Sequence, residues 1–209
     1  MKLITGRCIK SAKAAAGLLL IVPAVFTYSM PGKKSAIGIP AVAETAALTD
    51  SSSGAMPMQI INGLPYIKIL VNGKGPYLFG FDSGFGAEME LDSALANEIG
   101  VKPSGKTTIG DGSGKTVVLD VGIVNEVAIG KKTMHKVNAI IRNSPRKQQL
   151  GMENVKGILG IGMFPGQKVI LDYPRFLFSV EDGDLAAANG KDIFDYTPVG
   201  GGIPEIEIK

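Results

Sequence analysis

The sequence predicts an all-β lobe with a closed, barrel-like sheet and one short helix. Short apolar runs follow one another at close spacing, and each is bounded by Gly, Pro, Asp or Asn. A single stretch carries helix-type capping at both ends. Helical stretches between successive strands, which βαβ units need, are missing, so a parallel α/β sheet is disfavoured.

In chain order, the folded part is expected to begin near Met58. Tyr66 to Val71 reads as a strand, Asn72-Gly73 as a two-residue hairpin turn, and Tyr77 to Phe81 as the returning strand. Asp92 is a good N-cap for a helix through Ala94, Leu95, Ala96 and Ile99, with Gly100 as its C′ residue. Further strands are expected at Lys106 to Ile109, Thr116 to Val121, Val124 to Ile129, Val137 to Ile141, Lys168 to Leu171 and Phe176 to Val180.

Ahead of this lies a leader. Met1 to Lys13 holds Lys2, Arg7, Lys10 and Lys13 with no acid, and Ala14 to Phe26 is apolar. Ala41-Val42-Ala43 offers a small-residue cleavage site. Residues 1–43 therefore read as a signal peptide, or as a signal anchor if the uncharged run from Ala14 to Gly32 is retained. The expected location is exported, periplasmic or secreted, with membrane contact only through a retained leader. Residues 44–57, rich in Ala, Ser and Thr, read as a flexible linker.

The whole chain carries a net charge of +3, but all of that excess belongs to the leader. Without residues 1–43 there remain 16 basic and 19 acidic residues, a net −3. Nucleic-acid binding loses its electrostatic basis, because phosphate neutralisation needs clustered Lys and Arg. The one cysteine, Cys8, lies in the leader, so the folded part is expected to have no disulfide and no cysteine-based metal site. His135, the one histidine, stands between Lys132 and Lys136 without convincing partners for a triad or a zinc site. No metal and no cofactor are expected.

Two glycine motifs are decoys. Gly114-Lys115-Thr116 lacks the earlier glycine of a phosphate-binding loop, since Ile109 stands there. Gly160-Ile161-Gly162 is followed by Pro165, which breaks the helix that a dinucleotide fingerprint requires.

The residues that point to chemistry are Asp82-Ser83-Gly84, which follow the apolar strand Tyr77 to Phe81 and precede a bend at Gly86 and apolar Met89 and Leu91. The triplet alone is weak evidence. In this context, Ile67 to Gly100 resembles the block of strand, Asp-Thr/Ser-Gly, short strand and helix found in retropepsin-like aspartic proteases of the exported, bacterial type. Gly157-Ile158-Leu159-Gly160, followed by Phe164, Val169 to Asp172 and Phe176 to Phe178, is similar to that family's hydrophobic-hydrophobic-Gly motif and closing strands. The resemblance covers about Met58 to Glu181.

It implies an acid-protease fold, with Asp82 as a catalytic carboxylate, Ser83 as the hydroxyl bracing two loops across an interface, and Gly84 as the tight bend. It also implies a substrate-covering flap, which the hairpin Lys106 to Leu119 resembles, with Gly110, Asp111, Gly112, Ser113 and Gly114 at its tip. Phe85 departs from the small residue common in the family at that place. Peptide hydrolysis of this kind uses two carboxylates sharing one proton around a water, one as base and one as acid. A lone Asp82 cannot do this. The resemblance thus implies a peptide or protein substrate and a second Asp loop, from a homodimer partner or from a missing C-terminal lobe. Asp172, before Tyr173-Pro174-Arg175, reads as part of a turn between closing strands and not as the second carboxylate.

A short repeat bears on the second possibility. Gly63-Leu64-Pro65-Tyr66-Ile67-Lys68-Ile69 recurs as Gly202-Ile203-Pro204-Glu205-Ile206-Glu207-Ile208. The expected organisation is a protease lobe at 58–182, an interlobe linker at 183–201 and the start of a truncated second lobe at 202–209. The rival expectation is a non-catalytic exported peptide-binding module that keeps the cleft.

Overall fold

The computed structural model describes residues 54–110, 114–143, 154–189 and 191–206, together with the backbone of two short strands, β1 (Lys2–Thr5) and β2 (Gly17–Leu19). The rest of the expected leader and linker, and Asp111, Gly112 and Ser113 of the expected flap tip, lie outside the described residues.

The fold is all-β with one short helix. β3 (Met56–Ile61), β4 (Leu64–Val71) and β5 (Lys74–Asp82) form a meander. The turn from β4 to β5 has positive φ at both Asn72 (49°) and Gly73 (72°), the twist that suits a tight hairpin. β6 (Met89–Asp92) leads into α1 (Ser93–Glu98), capped by Asp92, whose side chain accepts the Ala94 N–H at 2.9 Å. β7 (Gly105–Gly110), β8 (Thr116–Ile129) and β9 (Lys132–Arg142) form a second meander. β10 (Val155–Gly160), β11 (Lys168–Asp172), β12 (Leu177–Glu181), β13 (Phe194–Val199) and β14 (Ile203–Glu205) complete the order.

Strand pairing runs back on itself. β4, β5, β10, β6, β9 and β8 are neighbours in that order, and β8 pairs again with β4. That closing seam is short: Leu70 faces Ala128 and Val71 faces Val127. Asn72 extends it, its N–H donating to the Glu126 carbonyl at 2.8 Å and its Oδ1 accepting the Glu126 N–H at 3.0 Å. Phe79, Val71, Met89, Leu91, Val124 and Leu159 are buried inside, from five strands of the ring. β1, β11, β12 and β3 continue the sheet outward from β4.

The structure departs from the sequence reading at several places. The two strands expected at Thr116–Val121 and Val124–Ile129 are one strand of 14 residues. Gly122 lets that strand pass close to Lys102 and Val101 without a break in pairing. The stretch 183–201, expected as a linker, carries β13, which pairs with β14. The repeated segment is also a repeated hairpin: Pro65 of β4 faces Ile60, and Pro204 of β14 faces Pro198.

Asp172 ends β11 and is 5% exposed. The Arg175 guanidinium donates to its Oδ2 through Nε at 2.6 Å and also through Nη2, and the Arg175 N–H donates to Oδ1 at 3.3 Å. The side-chain hydrogen bond from Arg175 holds this carboxyl below its ordinary value, against the opposing effect of burial. Its ionised form therefore stabilises the fold at pH values above the unfolded carboxylate range, and that contribution is lost as pH falls through the depressed folded value. Asp172→Asn is expected to lower stability at neutral pH by about 1–3 kcal/mol, because a hydrogen-bonded buried acceptor is lost. The variant should also lose less stability on acidification than the parent, as read by unfolding midpoints across pH. His135, on β9, is exposed.

Candidate active site

β5 and β10 run parallel, with Leu159 beside Phe81 and Gly160 beside Asp82, so both strands end at the same level. Asp82 is thereby carried to the rim of the ring. Phe81, the residue before it, is 4% exposed and packs with Phe164 and Phe178 at ring-centroid distances of 6.0 and 5.5 Å. This aromatic triangle fixes the strand end from below.

Asp82 itself is exposed. Its Oδ1 accepts the Gly84 N–H at 2.8 Å, and its carbonyl accepts the Phe85 N–H at 3.2 Å. One carboxylate oxygen is thus used to fold the tight bend, and the side chain is held at the corner. The Ser83 hydroxyl makes no hydrogen bond to another described residue. The three predicted loop residues are consecutive and stand together at this corner; Gly110 and Gly114 lie apart, beside the turn at the tip of the β7–β8 hairpin.

After the bend the chain crosses the end of β10. The Ile161 N–H donates to the Phe85 carbonyl at 3.0 Å, and the Gly160 N–H donates to the Glu88 carbonyl at 3.0 Å. The crossing is so close that a Cβ on Gly160 would stand 2.0 Å from the Ala87 carbonyl oxygen and 2.3 Å from that of Phe85. The half-buried Phe85 ring lies over Gly160, which is where the bulky residue is accommodated.

Beside this crossing opens a cleft of about 490 Å³. Its walls come from Gly86 to Glu88, from the β7–β8 hairpin at Thr107 and Val121, from β9 at Asn138 to Ile140, from Ile161 to Pro165, and from the β13–β14 hairpin. Asp82 is not part of the lining; the cleft begins four residues further on, at Gly86. Sequence reasoning had passed over Glu88, Asn138 and the β13–β14 hairpin. The Glu88 carboxylate accepts the Asn138 N–H at 2.6 Å on Oε2 and the Asn138 side-chain amide at 3.0 Å on Oε1.

The hairpin meets the loop through glycine. A Cβ on Gly86 would stand 2.5 Å from the Gly200 carbonyl oxygen, and one on Gly201 would stand 2.2 Å from that of Gly86. Gly86→Ala is expected to push the hairpin off the loop without unfolding the ring. Backbone amide exchange across 194–206 should rise by at least tenfold while the core strands keep their protection.

Among the described residues, no three His, Cys, Asp or Glu side chains lie close enough together to hold a metal ion.

Residues 67–162 match the family described as aspartyl protease, a span that contains β5, the Asp82 corner, the β7–β8 hairpin and β10 up to Gly162. Among solved structures, the chain is similar to a retropepsin-like aspartic protease from Rickettsia conorii, with 16% identity and a TM-score of 0.39. That match covers 61% of this chain and 90% of the other. No curated protein sequence matches this chain.

Proposed function

We propose that this chain, whose residues 67–162 match the aspartyl protease family, is one lobe of an aspartic endopeptidase that hydrolyses peptide bonds with an Asp82-activated water. The observation that carries the reading is the Asp82-Ser83-Gly84 corner, set on the rim and buttressed by Gly160. Among the described residues, Asp82 Oδ2 and the Ser83 hydroxyl have no hydrogen-bond partner. Both are what a loop needs if it is to meet a second copy of itself.

In the working enzyme a second Asp loop, from another copy of the chain or from a further lobe, stands beside the first. Two carboxylates brought close share one proton, because both cannot ionise cheaply. The ionised member then removes a proton from water, which attacks the peptide carbonyl, and the protonated member donates to the carbonyl oxygen. We place the reaction outside the cytoplasm, on the strength of the basic and apolar leader.

The test is cleavage of blocked apolar octapeptides over a range of protein concentration, with and without pepstatin. For a second loop supplied by another copy, the rate should rise with the square of concentration in the dilute range and vanish with pepstatin. Absence of cleavage at every concentration, and on adding the longest natural form of the protein, overturns the catalytic reading. The placement of the cleft to one side of Asp82 favours one alternative, a non-catalytic exported module that holds extended peptides. Peptide binding that is unchanged in Asp82→Asn and without turnover would select it.

A further inference from the structure

Resting on that reading, the geometry points to a substrate class: we propose that Glu88 selects peptides that bring a lysine or arginine side chain into the cleft beside the catalytic corner. Three observations carry this. The cleft walls are apolar over most of their extent, with Ala139, Ile140, Ile161 and Phe164 among them. Among the described lining residues, Glu88 alone bears a charge. That charge has no cationic partner among the described residues; Arg142, further along β9, pairs with Glu90 at 3.4 Å.

The carboxylate is also held for the purpose. The two donors of Asn138, one on each oxygen, fix the plane of the group and leave further acceptor positions on both oxygens. A side chain already fixed loses little freedom when a ligand arrives. A mostly apolar cleft with one fixed carboxylate in its wall matches the build of lysine and arginine, whose alkyl stems pack on apolar surface while the charged head reaches a partner. A neutral side chain of equal length would fill the cleft but leave the carboxylate desolvated and uncompensated.

The experiment uses two pools of fluorescent, blocked decapeptides built from Val, Leu, Phe and Ala, identical except for a central lysine in one and norleucine in the other. Binding to the parent protein is followed by anisotropy and cleavage by mass spectrometry. The lysine pool should bind or be cleaved about tenfold better, and Glu88→Gln should remove that preference while unfolding at nearly the parent temperature. If Glu88→Gln fails to fold, the parent protein decides: its preference should shrink several-fold between roughly 20 and 500 mM salt, as screening of a charge pair requires. Equal handling of the two pools, or a preference indifferent to both Glu88→Gln and salt, overturns the inference and leaves the endopeptidase reading standing. Failure to bind or cleave either pool removes both.

Discussion

Asp82→Asn is expected to abolish peptide-bond hydrolysis, with a fall of at least about a thousandfold in kcat/KM, while the protein stays folded. A positioned general acid or base is worth about 10²–10⁴-fold on its own, and in a shared dyad one substitution disables both members. The structure gives reason to expect an intact fold. Asp82 is exposed, and the bend depends on one acceptor, Oδ1, which receives the Gly84 N–H at 2.8 Å and which an asparagine carbonyl reproduces. The measurement is cleavage of the octapeptide pool beside a thermal unfolding curve. Unchanged cleavage in this variant would show that another carboxylate runs the reaction.

Gly160→Ala is expected to have the largest effect on stability. The added methyl would lie 2.0 Å from the Ala87 oxygen and 2.3 Å from the Phe85 oxygen, both backbone atoms that cannot rotate away. The loop 85–88 must then lift from β10, breaking the hydrogen bonds from Gly160 to Glu88 and from Ile161 to Phe85. Overpacking at such a point costs about 3 kcal/mol, which corresponds to a fall of roughly 10 °C in Tm. Because the displaced loop is the one that aims Asp82 and carries Glu88, activity should fall further than the lost stability accounts for, measured well below Tm. An unperturbed melting temperature would mean that the crossing is looser than its geometry indicates.

Much of this was legible in the sequence, and the pattern of what was not has physical causes. The hairpins at Asn72-Gly73 and at Gly110 to Gly114 declare themselves through turn chemistry, as does the helix through Asp92 and Gly100. The same chemistry was present at Asn62-Gly63, where φ is 51° and 80°, and would have predicted β3 as the partner of β4. β10 is harder to read, since Gly157 and Gly160 dilute its apolar run; Gly160 is there because the loop 85–88 crosses so close, and Gly157 because the Glu90 carbonyl and the Phe79 ring lie against it. Local pattern identified the Asp82 corner because strand, carboxylate and bend are contiguous. It could not identify the cleft, whose walls come from segments more than a hundred residues apart. Glu88 and Asn138 stand 50 residues apart and meet only through the parallel pairing of β6 with β9.

The closing seam of the ring has a bearing on the order in which the protein folds. The meander β3–β4–β5 and the meander β7–β8–β9 each join neighbours in sequence through short turns, and each can assemble by itself. The contacts between Asn72 and Glu126, 54 residues apart, must wait until both exist and come together. Closure of a loop of that length carries its entropic cost before the seam returns any stabilisation, so the seam is expected to form after the two meanders. With two facing residue pairs and the Asn72 bonds, the seam is also the narrowest part of the ring. It is therefore where local opening of the ring is expected to begin, away from Asp82 and its loop.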